Sequence, residues 1–259
     1  MFGIGIRRWH SVAYEQAVYG SFRFWDRGYA VLARSGGCRP EWIQWLKGAC
    51  QRIGERPPGF GELESLWALR MPGGAWMVVG MFPQGVDDRG RPGAQAFHAL
   101  FVSRWAYWRA GANPFVFAPA LRGDWEGADR DRLLPTDRLV LAGGDQPAER
   151  EPDDPRVDEI VGELTRGRKV VVEAAEPITW LARAVWRRLP GRVRRQASVA
   201  TWTFRTDNGF DLAGLPRLVG SRVGSGEARS HKPTPLASAE GVFSGNQPDH
   251  NDGPRSSSS

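Results

Sequence analysis

The sequence predicts an α+β (mixed α/β) protein: a β-rich N-terminal half with hairpins, a helix–strand–helix–strand C-terminal half packed on it, and a disordered tail. Before residue 145, alternating apolar residues are separated by Gly- and Pro-rich turns, a pattern typical of strands. After residue 153, apolar residues recur at helical spacing on either side of a continuous apolar run. From residue 219 the chain is rich in Ser, Gly and Pro and has too little apolar surface to offset chain entropy. The predicted divisions are therefore 10–145, 153–218 and 219–259.

The first predicted element is an aromatic hairpin with strands over about 13–19 and 28–34. Apolar and polar residues alternate in the second strand, so one of its faces is expected to be buried. The connecting loop carries Phe22, Phe24 and Trp25 among charged residues. These rings either fold back over the core or form a recognition loop, since aromatic anchors on loops are typical of binding surfaces.

A helix is predicted over 39–53, where Pro40 suits the first turn and apolar residues form one stripe. A second hairpin follows, with strands over 65–70 and 75–82. Pro72-Gly73 lies at its turn and supplies the backbone angles of a type II turn, with φ near −65° and then positive.

Residues 83–93 are rich in Gly, Pro and charge, and they are predicted to form an exposed loop. The next stretch, 94–104, is an apolar strand with His98 at its centre. A short helical segment with Trp105 and Trp108 comes directly after it.

In the C-terminal half, one helix is predicted from the Asp154-Pro155 cap to Gly167 and another from Pro177 to Leu189. Between them, 169–174 is a continuous apolar run of the kind found in strands buried on both faces. The segment 196–205 is predicted to be a further strand. Strand, helix and strand in this order indicate a parallel crossover.

The composition limits the classes of function. The chain has 259 residues, a net charge of +6 and a pI near 9.9, which permits an acidic partner such as nucleic acid or a lipid headgroup. Its two cysteines, Cys38 and Cys50, form neither a disulfide scaffold nor a zinc-binding spacing. The N-terminal residues do not have the pattern of a signal peptide, and no apolar run is long enough for a membrane span. We therefore expect a cytoplasmic protein.

Few residues are candidates for catalysis. His98 could act as a base beside Ser35, or together with Glu15 or a thiol, but no spacing supports such a pair. A histidine satisfied in or beside the core is the simpler interpretation. Phosphate-binding loops, zinc-protease motifs, nucleophile elbows and dithiol motifs are absent from the sequence. We therefore expect no cofactor and no metal, and an enzyme using His98 with Ser35 or Glu15 remains the first alternative.

The strongest electrostatic feature is a group of arginines between residues 177 and 206, where the sequence has no acidic residue. Cationic side chains complement a helix C-terminus, and they can also form a docking site for phosphate or for an acidic protein surface. The group consists of Arg183, Arg187, Arg188, Arg192, Arg194 and Arg195. A second polar patch is predicted from Gln16, Tyr29, Arg34 and Ser35.

Three segments together resemble a known family. They are EQAVYG and GYAVLARSGG within 15–37, RPGAQAFHALFVSR at 91–104 and LPGRVRRQASVATWTF at 189–204. Their order and spacing are similar to those of the N-terminal domain of bacterial GTPase-associated proteins, over about residues 12–206. The positions that match the family pattern are Gln16, Gly28, Tyr29, Ser35, Gly93, His98, Ala99, Leu189, Pro190, Arg194 and Ser198. The chain departs from that pattern in reading SVATWTF where the family has a simpler S-F-x-T, and in its tail.

The resemblance implies a non-enzymatic adaptor of a multi-component bacterial system of the conflict or defence type. Its implied partner is a small GTPase or another protein of the same operon. We expect the outward-facing arginines to contribute to this docking. A basic nucleic-acid-binding protein is the second, less favoured alternative, and it would require a continuous basic surface.

Overall fold

The computed structural model describes residues 10–23, 28–54, 63–141 and 154–216. Within these ranges, helices pack on both faces of one ten-stranded sheet to which both halves of the chain contribute. The prediction of an α+β fold is confirmed. The predicted disordered tail, 219–259, lies outside the described residues, as do Phe24 and Trp25 of the aromatic loop.

Ten strands and five α-helices make up the described chain. The strands are β1 His10–Gly20, β2 Ala30–Ser35, β3 Ser65–Arg70, β4 Trp76–Val86, β5 Pro92–Val102, β6 Leu133–Leu134, β7 Asp137–Leu141, β8 Val170–Ala174, β9 Val199–Ala200 and β10 Leu212–Pro216. The helices are α1 Pro40–Ile53, α2 Arg104–Arg109, α3 Arg156–Thr165, α4 Thr179–Arg188 and α5 Gly191–Arg194. Short 3₁₀ segments cover Pro72–Gly74, Pro114–Ala120 and Gly127–Asp129.

The sheet has the strand order β6-β2-β1-β5-β4-β3-β9-β10-β8. Strand β1 is long enough to pair with β2 through Ala17–Gly20 and with β7 through His10–Tyr14 on the same side. Pairing is antiparallel from β2 to β9, whereas β9, β10 and β8 run parallel to one another. The C-terminal half thus extends the antiparallel sheet of the N-terminal half with a parallel segment.

Each face of the sheet has its own core. On one face Trp76, Tyr107 and Trp186 are buried together with α2, α3 and α4. On the other face α1 packs its stripe against residues such as Trp67 and Phe101. Burial of both faces provides the apolar area that a sheet of this size needs for stability.

Several local predictions are confirmed. The first hairpin forms with Ala17 opposite Arg34, and α1 begins at Pro40 as expected. At the second turn Gly73 has φ 77° and ψ −1°, and the N–H of Gly74 donates to the carbonyl of Met71 at 3.0 Å. These are the features of the predicted type II turn.

The prediction of an exposed loop over 83–93 is wrong in extent. Strand β4 continues to Val86 and β5 begins at Pro92, so only the tip between them is a turn. The pairing accommodates Gly and Pro because its register shifts on either side of Gly85, which has φ 69°. Asp87 closes the tip by accepting hydrogen bonds from the backbone N–H groups of Arg89 and Arg91.

Two strand predictions in the C-terminal half also need correction. The run 169–174 forms β8 but is not buried on both faces, because β8 is the last strand of the sheet and its alternate residues are exposed. Of the segment 196–205 only β9 pairs as a strand. The parallel neighbour of both is β10, which was not predicted and lies between them.

Candidate functional site

Three of the residues that the resemblance singles out in the N-terminal half, Gln16, Ser35 and His98, are buried and joined through Gln16. Strand β1 carries Gln16 and its neighbour β5 carries His98. Atom Nε2 of His98 lies 3.0 Å from Oε1 of Gln16, and Nε2 of Gln16 donates to the carbonyl of Pro135 at 2.9 Å. His98 has no exposed surface and Gln16 is 7% exposed, so these polar groups satisfy each other away from solvent.

The second ring nitrogen of His98 is also engaged. The backbone N–H of Arg122 donates to Nδ1 at 2.9 Å, so Nε2 carries the ring proton and donates it to Gln16. The ring packs edge-on against Trp125, with centroids 5.1 Å apart. Burial, reinforced by the nearby Arg122 guanidinium, lowers the pKa of His98 from 6.5 to about 3. The imidazole is therefore neutral at physiological pH and held by two structural partners.

Ser35 lies on the same network but does not reach His98. Its Oγ accepts the backbone N–H of Gln16 at 2.9 Å, and the thiol of Cys38 donates to the carbonyl of Gln16 at 3.2 Å. The carboxylate of Glu15 instead accepts the hydroxyl of Thr136 at 2.9 Å. Among the described residues, His98 therefore forms no hydrogen bond with either proposed catalytic partner.

Both thiols are in environments that disfavour the thiolate. Cys38 and Cys50 are buried in the core beside α1. Burial raises the pKa of Cys38, and it raises the pKa of Cys50 well above its ordinary value. Since the thiolate is the nucleophile and the metal ligand, neither cysteine is placed for such chemistry.

The predicted second polar patch does not form one surface. Gln16 and Ser35 are buried, because their side chains join β1 to β2 and β5. Tyr29 is 45% exposed, and its hydroxyl accepts the backbone N–H of Gln95 at 3.1 Å; Arg34 is exposed. A partner at this edge could contact Tyr29 and Arg34 only.

The predicted arginine cluster divides into buried and exposed members. Arg183 was expected to face outward, but it is half-buried with its guanidinium 5.6 Å from the centre of the Phe115 ring. The reason is that the buried face of α4 is broad and includes Ala182, Ala184 and Trp186. Arg194 is half-buried as well, and its Nε has no exposed surface.

The other four arginines of the cluster are exposed: Arg187, Arg188, Arg192 and Arg195. One of them, Arg188, forms an ion pair with Asp158 of α3 at 2.9 Å. Arg192 and Arg195 have no carboxylate within ion-pair distance in the part of the chain that the structure describes. Their positive charge is therefore available to a partner.

Helix α2 adds an aromatic element to this charge. The guanidinium groups of Arg104 and Arg195 lie 5.0 and 5.1 Å from the centre of the Trp108 ring, which joins α2 to the end of α5. Trp105 is 69% exposed and its ring centroid lies 6.0 Å from that of Trp108. We call Arg104, Trp105, Trp108, Arg192 and Arg195 the arginine–tryptophan surface.

Helix α2 is rigidly fixed to the core beneath this surface. Ser103 caps it by accepting the backbone N–H of Ala106 at 3.1 Å. Tyr107 points the opposite way, is fully buried and stacks on Trp76 with centroids 4.1 Å apart. The sequence shows the elements of this surface, because two tryptophans lie three residues apart in α2 with an arginine at each end of the helix. It does not show that Trp105 is exposed.

A cavity of about 440 Å³ borders the exposed arginines. It lies between the end of α3, α5 and the start of β10, and Arg168, Arg192 and Asp211 line it. Two of the charged groups on its wall have partners within the protein. Arg168 is ion-paired with Glu163, and Asp211 accepts the backbone N–H and the hydroxyl of Ser198, both at 2.7 Å. It is a cleft that borders the arginine–tryptophan surface at Arg192.

No group of three or more His, Cys, Asp or Glu side chains in the described ranges could hold a metal ion. No helix within those ranges is long and apolar enough to cross a bilayer. Comparison with protein-family models, curated proteins and solved structures gives no match to this chain.

Proposed function

We propose that this protein is an interaction module that docks the acidic surface of another protein on its arginine–tryptophan surface. In line with the family resemblance, we propose a small GTPase or another protein of the same operon as that partner and an adaptor role for the chain. The observation that carries the proposal is the exposure of Trp105 beside a tryptophan held by two guanidinium groups.

Exposed tryptophan and arginine side chains are the residue types that contribute most to protein–protein affinity. Trp105 leaves 69% of its surface accessible, whereas its neighbour Tyr107 is fully buried as an anchor. Because Trp108 is already held by Arg104 and Arg195, little side-chain entropy is lost there on binding. The surface is thus pre-organised.

The charge of the surface favours an acidic partner. Segment 177–206 has no acidic residue, and Arg192 and Arg195 project from it without a carboxylate partner in the described ranges. A partner carboxylate could pair with either guanidinium in bidentate geometry, which supplies orientation as well as affinity. Such complementarity also accelerates encounter of the two proteins.

The geometry does not favour the enzymatic alternative. A general base at neutral pH needs a pKa near the working pH, whereas the pKa of His98 is lowered to about 3. Both of its ring nitrogens are engaged, by Gln16 and by the backbone of Arg122. Neither Ser35 nor Glu15 shares a hydrogen bond with it among the described residues.

The test is direct binding of the full chain to proteins encoded beside its gene, beginning with a small GTPase loaded with GDP or with a non-hydrolysable GTP analogue. Trp105→Ala and Arg195→Glu are each expected to weaken binding about tenfold or more, as truncated hot-spot residues do. The matched controls are Trp180→Ala and Arg138→Glu, which change an exposed tryptophan and an exposed arginine elsewhere on the molecule. These are expected to bind as the wild type does.

Equal affinity for all four variants would overturn the assignment of the surface, provided that each retains the wild-type melting temperature. Failure of every neighbouring gene product to bind would overturn the proposed partner. If instead the chain retains short single-stranded DNA or RNA with a steep salt dependence that Arg195→Glu reduces, the nucleic-acid alternative replaces the protein-docking function.

A further inference from the structure

Among the described residues, the outer edge of β8 ends the sheet with a row of backbone groups that no other strand pairs with. Within the described residues β8 pairs only with β10 on its inner side. The N–H of Val170 donates to the carbonyl of Asp211 at 2.7 Å, and the parallel register places Val170 opposite Leu212. Because inward and outward groups alternate along a strand, the N–H and C=O of Val171 and Glu173 point away from the sheet.

Part of this edge lacks the features that usually prevent edge-to-edge pairing. Val171, the second residue of β8, is 47% exposed, and β8 has neither a proline nor a bulge. Natural proteins normally protect such an edge with charged side chains, inward-pointing charges, prolines, bulges or a covering element. Lys169 and Glu173 are charged residues of this protective kind, but their charges are opposite, so a strand that places each beside the other can pair here.

The charges of this edge are complementary to themselves. Val171 and Glu173 share one face of β8, and Lys169, the residue before the strand, continues the same alternation. All three are exposed, and Nζ of Lys169 donates to the carbonyl of Gly209 at 3.3 Å. If two copies pair antiparallel about Val171, each Lys169 lies opposite the Glu173 of the other copy. In this register the backbone groups that point away from one sheet face those that point away from the other. Val171 therefore forms a hydrogen-bonded pair with the Val171 of the other copy, and each Lys169 forms one with a Glu173. Shifting the register by two residues would lose both the charge match and one end of the ladder.

We propose that a second copy of this chain pairs with β8 in this antiparallel register, so that two ten-stranded sheets become one continuous sheet across a two-fold axis. The inference is independent of the arginine–tryptophan surface and of the proposed partner. It follows from the unpaired edge, the exposed Val171 and the placement of Lys169 and Glu173.

The test uses the full chain and its mass in solution, measured by sedimentation velocity or light scattering across a concentration series. Wild-type protein is expected to form a dimer. Lys169→Glu and Glu173→Lys each place like charges opposite one another twice, and each is expected to weaken the dimer about tenfold. The double charge swap, Lys169→Glu with Glu173→Lys, is expected to restore it.

Mixing the two single variants provides a second measurement, because in the mixed dimer each changed residue lies opposite a residue of the opposite charge. A labelled Lys169→Glu chain should associate with Glu173→Lys more tightly than with itself. A wild-type chain that stays monomeric at its highest soluble concentration would overturn the proposal. A dimer whose affinity is the same in both single variants as in the wild type would overturn it as well.

Discussion

The buried His98 makes a quantitative prediction about stability and pH. Its folded-state pKa is about 3, whereas an unfolded histidine has a pKa near 6.5. Above pH 6.5 both states are neutral, so the stabilising contribution of the neutral imidazole is fully present. Between pH 6.5 and 3 the unfolded state binds a proton that the folded state does not, so the free energy of unfolding falls as the pH is lowered.

The slope can be calculated. One proton taken up only by the unfolded chain changes the free energy of unfolding by about 1.4 kcal/mol per pH unit. Lowering the pH from 7 to 5 should therefore cost about 2 kcal/mol from this residue alone. The carboxylates whose pKa is lowered, such as Asp87 and Asp124, remain ionised in both states throughout this window, so they do not contribute to the change.

The assay is urea unfolding at several pH values between 5 and 7, followed by circular dichroism. In His98→Asn the stability at pH 7 is expected to fall, because a buried ring and its two hydrogen bonds are lost, but the pH slope should disappear. A wild-type stability that is flat across this window would refute the calculation. So would a variant that keeps the wild-type slope, since another group would then be responsible.

Two further predictions concern the core. Gly214→Ala should lower the free energy of unfolding by several kcal/mol or prevent folding, because the added Cβ would lie 2.4 Å from the backbone oxygen of Thr201. Gly48→Ala adds a carbon with no atom within 4 Å, so it should leave the stability unchanged or raise it by up to about 1 kcal/mol. Urea unfolding of the two variants in parallel distinguishes a steric effect from a general glycine effect. Cys38 and Cys50 should be unreactive toward an aromatic disulfide reagent in the native protein and react fully in denaturant, because burial raises both thiol pKa values; rapid native modification of either would contradict its burial.

The local elements of the fold were largely predictable because their signals are local. The start of α1 at Pro40 and the Pro72-Gly73 turn each depend on residues close in sequence, and each forms where predicted. Asp154 accepts the backbone N–H of Arg156 at 2.9 Å, but α3 begins at Arg156, one residue after the predicted first position. The loop prediction over 83–93 failed because Gly and Pro were read as ending the strand. In the structure a shift of register at Gly85 lets β4 continue past them.

Strand order could not be derived from the sequence. The three valines of β8 are equally consistent with a central strand and with an edge strand, and only pairing with β10 on one side decides between them. That β10 intervenes between β8 and β9 depends on contacts between segments far apart in the chain. Long-range pairing of this kind leaves no periodic signal within a single segment.

Only part of the candidate site could be predicted, because its contacts also join residues that lie far apart in the sequence. His98 was recognised as a core residue, but its partners are backbone groups of Arg122 and a side chain on another strand, which no spacing reveals. The arginines after α4 were identified from charge alone. Their division into exposed and half-buried members depends on the aromatic residues that α4 and α2 bring to them, such as Phe115 and Trp108.

The two proposed surfaces have a joint geometric consequence. Helices α2, α3 and α4 pack on the same face of the sheet. A two-fold axis through Val171 that is perpendicular to the sheet keeps this face on one side of both copies, so both arginine–tryptophan surfaces would lie on the same side of the combined sheet. A dimer could then engage two partner molecules held on one assembly, and its apparent affinity would exceed that of a single site. Lys169→Glu should therefore reduce capture of an immobilised, densely loaded partner while leaving the affinity for a soluble monomeric partner unchanged, whereas Trp105→Ala should reduce both.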